Sequence, residues 1–99
     1  MADNLNIVNN TEKKRFEAQL DGDDLALIEY SIAGKNILYT HTEVPSEYEG
    51  QGIATQLAHA VMEYAKNEGF KVQALCPFVN KYVSENPEYH DITWGYFNR

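Results

Sequence analysis

Cations are what this chain is short of. Its 99 residues hold 8 lysines and arginines against 15 aspartates and glutamates, a net charge of −7. That deficit argues against nucleic acid and against an anionic membrane surface as partners. It favours cationic small molecules or basic peptides, although charge of this size also serves solubility. Cysteine is nearly absent too: Cys76 alone cannot form an internal disulfide, and it fits a reducing, cytoplasmic setting. Three scattered histidines and one cysteine make no metal-ligand spacing, so no metal site is expected. No apolar run approaches the ~18 residues of a membrane span, and the polar start MADNLNIVNN has no signal-peptide character. Without repeats, low-complexity stretches or a long linker, a single domain over residues 1–99 is expected, burying about 60–65% of the unfolded chain's surface.

The stretch that stands out is TEVPSEYEGQGIATQLAHAVMEYA, residues 42–65. A strand ending runs into a loop carrying Gly50-Gln51-Gly52, and helical spacing begins at once. Backbone N–H groups are left unpaired at a helix N-terminus, and the helix dipole favours negative charge there. Two glycines remove the side chains that would keep a ligand at a distance. Such a loop can hold a phosphate or pyrophosphate, and many such loops only turn the chain.

Along the chain, residues 4–9 read as a short first strand. Residues 14–20 alternate, with Phe16, Ala18 and Leu20 on one face and Arg15, Glu17 and Gln19 on the other. After the turn at Asp21-Gly22-Asp23-Asp24, residues 25–32 form a strand with Ala26, Ile28, Tyr30 and Ile32 facing one way. A turn at Ala33-Gly34-Lys35-Asn36 leads into a strand over residues 36–44, which Pro45 ends. These strands make an antiparallel meander. From Ile53 the period becomes helical, with Ile53, Leu57, Ala60, Val61, Tyr64 and Ala65 on one face, and Gly69 stops the helix. Residues 70–75 read as a strand parallel to residues 36–44. Cys76 is the expected N-cap of a second helix opened by Pro77, with Phe78, Val79, Tyr82 and Val83 at helical spacing. The aromatic tail YHDITWGYFNR either covers the chain's own core or mediates a dimer, so monomer and weak homodimer both stay open. The class is α+β: a β-meander, then strand, G-x-G loop, helix, parallel strand and helix.

That order, the loop and the spacing of VPSEYEGQGIA, ALCPFVNKY and NPEY resemble the GCN5-related N-acetyltransferases, and within them a small branch of roughly 100 residues. The resemblance covers residues 42–90 by motif and residues 4–41 by strand pattern. The family's loop pattern is Q/R-x-x-G-x-G/A; this chain has Glu47-Tyr48-Glu49-Gly50-Gln51-Gly52, so carboxylates stand where Gln or Arg is usual. The chain is also shorter than most of the superfamily and lacks the helices that follow the first strand and help shape the acceptor pocket.

The resemblance implies acetyl-CoA as donor cosubstrate, no metal, and an amine acceptor, either a small amine or a basic peptide. It places the pyrophosphate on the backbone N–H groups of Gly50, Gln51, Gly52, Ile53 and Ala54, beside Glu49. The pantetheine arm would lie along main chain near Thr42 and Val44. Cys76 would act as nucleophile or as proton carrier, or serve as a buried structural cysteine. His41, expected by alternation to share a face with Tyr39 and Glu43, would act as general base or pair with Cys76. Asn80 and Tyr82 follow Cys76 in the second helix, Tyr82 as candidate proton donor to the CoA thiolate or as core. His59 and Glu63 read as a solvated i, i+4 pair. The alternative is a non-catalytic module that binds CoA or acyl-CoA for regulation or association.

Overall fold

The computed structural model describes residues 5–96. It contains β1 (Ile7–Asn10), β2 (Arg15–Gln19), β3 (Leu25–Ala33), β4 (Asn36–Glu43), α1 (Ile53–Glu68), β5 (Lys71–Ala74) and α2 (Pro77–Ser84), with 3₁₀ turns at Ser46–Tyr48 and Pro87–Ile92. The five strands form one sheet in chain order. The first four are antiparallel, and β4 and β5 are parallel, as the pattern implies. Asn4, expected in the first strand, lies outside the described residues, and so do the last three residues of the tail.

Alternation explains β2 and β3. Phe16, Ala18, Ala26, Ile28 and Tyr30 are buried in one core, while Arg15 and Glu17 point the other way and pair at 2.6 Å. That pairing, with help from Asn10, holds the Glu17 carboxyl below its ordinary range. Lys14 is a turn residue at φ 55 and not the start of the strand. Ile32 is 47% exposed, because the last three residues of β3 run past the core.

α1 buries Ile53, Leu57, Ala58, Val61, Met62 and Ala65, and Gly69 ends it in the left-handed conformation at φ 80. Its close approach to the sheet is fixed by Tyr39, which is fully buried and donates its hydroxyl to the Val61 carbonyl at 2.6 Å. Burial pushes the Tyr39 phenol far above its ordinary range. The tail packs on its own chain. Tyr89, 1% exposed, donates to Glu63 Oε2 at 2.7 Å, and Thr93 bridges to Val72 beside β5. His59 Nδ1 lies 3.3 Å from both Tyr89 and Tyr82 hydroxyls, so the expected solvated pair His59 and Glu63 belongs to a four-residue network. Burial, and then the Glu63 carboxylate, push the Tyr89 phenol up; the Tyr89 hydrogen bond chiefly holds Glu63 down.

One irregularity decides the rest. Glu29 pairs with His41 but Tyr30 pairs with Tyr39, which leaves Thr40 as an extra residue in β4. Such a bulge inverts the alternation beyond it. Tyr39 therefore faces the core, whereas His41 and Glu43 face solvent and Thr42 and Val44 turn inward. The expectation that His41 shares a face with Tyr39 is corrected accordingly; it shares one with Glu43.

Candidate functional site

β4 and β5 part at Tyr39. Leu75 N–H and Cys76 N–H both donate to the Tyr39 carbonyl, at 3.0 and 2.9 Å, and the chain then turns into α2. Beyond that point, among the described residues, no strand pairs with residues 40–44 on the β5 side. The parting thus begins at the bulge and is already open before Pro45.

Two adjoining cavities of about 290 and 490 Å³ occupy this end of the sheet, sharing Val44, Glu49, Ala54 and Phe78. The first is the glycine loop and the start of α1. Gly50 and Gly52 have φ 84 and 80, values that a side chain disfavours, and a Cβ on either would meet no protein atom. Gly52 is the N-cap and offers no side-chain cap, and the first intrahelical bond is Gln56 N–H to the Gly52 carbonyl. The N–H groups of Ile53, Ala54 and Thr55 therefore face an open, apolar-walled space with the positive end of a 16-residue helix behind them.

Tyr48 fixes the loop to the β2–β3 turn. Its hydroxyl donates to Asp24 Oδ2 and accepts from Asp21 N–H, each at 3.3 Å. Desolvation, then the nearby Asp21 and Asp24 carboxylates, hold its phenol above the ordinary range.

The second cavity is lined by His41, Thr42, Glu43, Cys76 and Pro77 together with the shared residues. Cys76 caps α2, with Pro77 in the first turn, as expected. Its thiol is 3% exposed, and its Sγ lies 2.9 Å from Thr42 Oγ1; either atom can donate. His41 Nε2 is 3.4 Å from Glu43 Oε1, both side chains more than half exposed. An exposed pair of this kind stabilises by under ~1 kcal/mol, so its value is positional. His41 and Cys76 share the cavity, but each makes its hydrogen bond to another residue.

Thr42, Val44, Glu49, Gly50, Gly52, Ile53, Ala54, Cys76 and His41 are thus brought together. Gln51 is exposed and lines neither cavity. Asn80 lies outside as well, its amide donating to the Ala74 carbonyl at 3.2 Å, which holds the start of α2 against the end of β5. Tyr82 lines neither of these two cavities; its hydroxyl lies beside His59 and its ring beside Tyr89, and it borders a third cavity with Thr55 and Phe78. Sequence reasoning missed two site residues, Phe78 and Lys81, and the side-chain contact of a third, Thr42. Phe78 lines both cavities; its helical spacing marked it only as core. Thr42 was assigned through its main chain, and its hydroxyl partner required the bulge. Lys81 lines a third cavity of about 340 Å³ with Thr55, Phe78 and Tyr82, and among the described residues it is the one lysine or arginine lining any of the three. Among the described residues no group of three or more metal-ligating side chains occurs, and no helix is long and apolar enough to cross a membrane.

The parallel pair β4–β5 thus splays beside a helix N-terminus that follows a glycine loop and carries no side-chain cap. The model of the GCN5-related N-acetyl-transferase family matches residues 15–92, and the chain belongs to that family. It is 36% identical over 85 residues to mouse Protein NATD1, covering 84% of this chain and 77% of the relative. Protein NATD1 of zebrafish is 35% identical over the same coverage. A GCN5-like protein of Staphylococcus aureus, determined by NMR in solution, superposes with a TM-score of 0.71 at 29% identity, covering 92% of this chain and 89% of that one.

Proposed function

We propose that the protein transfers an acetyl group from acetyl-CoA to an amine, a small amine or a basic peptide, at the parting of β4 and β5. The observation that carries this reading is the continuity of the two cavities: an N–H cradle at one end, apolar walls from Val44, Ala54 and Phe78, and Cys76 with Thr42 at the other. Those residues fit the donor. The N–H groups from Gly52 to Thr55 suit a pyrophosphate, and the unpaired side of residues 40–44 suits an amide-bearing arm. Glu47 and Glu49 oppose a polyanion, at under ~1 kcal/mol each in water, and Lys81, which borders a cavity with Thr55 of the first turn of α1, is a cation on that side.

When bound, acetyl-CoA supplies an activated thioester. His41, exposed at the cavity mouth and oriented by Glu43, receives the proton that an ammonium acceptor must lose, directly or through water. The amine then forms a C–N bond to the acetyl carbon as the C–S bond breaks, and coenzyme A leaves as the thiol. Cys76 has two possible parts. Its Sγ, reached only through the cavity and hydrogen-bonded to Thr42, can take the acetyl group first and pass it to the amine, or it can serve the proton transfer. The single cysteine, which can form no internal disulfide, supports a reducing, cytoplasmic setting for this activity.

A purely binding module is the second reading, favoured by the Glu49 carboxylate in the groove. Calorimetric titration with acetyl-CoA tests both; absence of binding rejects both. Mass spectrometry after incubation then separates them. Coenzyme A release with an amine, or an acetyl adduct lost in Cys76→Ala, indicates chemistry, and binding without either supports the module. Unchanged turnover in Cys76→Ala removes the thiol from the mechanism.

A further inference from the structure

The segment from Pro45 to Gly52 leads into the N–H cradle, and its own bonding holds it weakly. Its 3₁₀ turn, Ser46–Tyr48, buries no residue. Two backbone bonds form inside it, Tyr48 N–H to the Pro45 carbonyl at 2.9 Å and Glu49 N–H to the Ser46 carbonyl at 3.2 Å. Among the described residues, the N–H groups of Gly50, Gln51 and Gly52 donate to no protein acceptor. Two of those three residues are glycines, the residue type that loses most conformational freedom on being ordered.

One side chain ties this segment to another part of the sheet. Tyr48 Oη donates to Asp24 Oδ2 and accepts from Asp21 N–H, each at 3.3 Å, across 24 and 27 positions of sequence. Among the described residues no other hydrogen bond joins residues 45–52 to a different strand or turn. The Tyr48 ring packs against the core and walls the first cavity beside Glu49, Gly50 and Gly52. The receiving turn is the stiffer partner. Leu20 N–H donates to the Asp24 carbonyl at 2.9 Å and Asp24 N–H to the Asp21 carbonyl at 3.1 Å. The Gln19 amide donates to the Gly22 and Asp24 carbonyls at 2.9 and 3.1 Å. Asp21 N–H and the Asp24 carboxylate are thus held in place without help from Tyr48.

We propose that Tyr48 is a positioning residue for the donor: its hydroxyl ties the glycine loop to the β2–β3 turn, so that the N–H groups at the start of α1 are aimed before acetyl-CoA arrives. The proposal rests on the acetyl-transfer reading above and adds to it an anchor outside the groove, the turn Asp21-Gly22-Asp23-Asp24. The hydroxyl touches no reacting atom and acts through the backbone. A loop already ordered gives up less entropy on binding than a loose one. The tether therefore enters donor affinity and leaves the chemical step alone. Two hydrogen bonds of 3.3 Å near solvent support a several-fold change.

The test is a double-mutant cycle on the full chain. Tyr48→Phe removes the hydroxyl and keeps the ring on the core and the cavity wall. Asp24→Ala and Asp24→Asn remove the same charge, but only asparagine keeps an oxygen to accept from the hydroxyl. Calorimetry gives the Kd for acetyl-CoA, coenzyme A release with butylamine gives kcat and KM, and backbone NMR order parameters of Gly50, Gln51 and Gly52 report the loop in the free protein. Tyr48→Phe should raise the Kd and KM for acetyl-CoA about three- to tenfold with kcat unchanged, and lower those order parameters. Asp24→Ala should bind more weakly than Asp24→Asn, and Asp24→Ala should add nothing in a Tyr48→Phe background. Parental Kd or parental order parameters in Tyr48→Phe overturn the proposal, as do a fall in kcat or additive losses in the cycle. The Kd arm needs no turnover, so it decides equally for a binding module. Failure of the parent protein to bind acetyl-CoA rejects the acetyl-transfer reading instead, and the order parameters still decide whether the hydroxyl holds the loop.

Discussion

Before Thr40, β4 sends Ile37 and Tyr39 into the core and is paired on both sides; after it, Thr42 and Val44 face a cavity, and among the described residues no strand pairs on the β5 side. Strand propensity does not separate the two sides: Ile37 and Tyr39 stand in the first, and Thr40, Thr42 and Val44 in the more polar second. What differs is register. One inserted residue turns the second half of the strand by a face, and the end of β5 at the same level takes its backbone away into α2. The first half of the strand therefore holds the molecule together, and the second half is left free to hold something else.

The largest expected effect falls on the first half. Tyr39→Ala should cost about 3–5 kcal/mol of stability, seen as a lowered denaturation midpoint, because it empties a fully buried site under α1. The ionisation of Tyr39 sharpens the point. Its folded-state pKa is raised above the ordinary value of 10.0, so its contribution is complete below that pH and is lost as pH rises through the folded value. Stability measured against pH should fall on the alkaline side, and Tyr39→Phe should reduce the fall. An equally steep fall in that variant would assign it to Tyr89 and the other raised tyrosines.

Next comes the loop that the second half of β4 leads into. Gly52→Ala forces a side chain into a backbone at φ 80, at about 1–2 kcal/mol. No protein atom opposes the new Cβ, so the fold should survive. Acetyl-CoA affinity, measured by calorimetry, should drop further than the stability does. Equal losses in both would mean that the glycine serves only the turn.

The smallest change in stability is expected at Thr42. Thr42→Val removes the hydroxyl beside Cys76 and should cost about 1 kcal/mol or less. Turnover should nevertheless fall about tenfold, the equivalent of one hydrogen bond lost from the transition state. A variant with parental turnover would make the contact a packing detail and return Thr42 to the same status as Ile37.

Much of this was legible in residue order. The alternation of Phe16 and Ala18, the helical spacing from Ile53, Gly69 at a helix end and Cys76-Pro77 at a helix start are local signals, and each corresponds to the element observed. The glycine loop was legible because φ values near +80 select glycine whatever lies around them. His41 was misplaced by a face, since a bulge leaves no mark in a run such as Tyr39-Thr40-His41-Thr42. It exists only relative to the partner strand, where Glu29 and Tyr30 keep their spacing. The tail was legible only as aromatic. That Tyr89 would reach Glu63, and Thr93 would lie beside Val72, depends on contacts between residues 26 and 21 positions apart.

The sequence by itself determined the strands, the helices, the loop conformation and the family, because these follow from periodicity and from backbone preferences that neighbours along the chain impose. Tertiary structure alone decided which half of β4 is core and which is site. It also decided that Thr42 and Cys76 meet across the parting. Those are relations between strands, and a strand's own residues do not carry its partner's register.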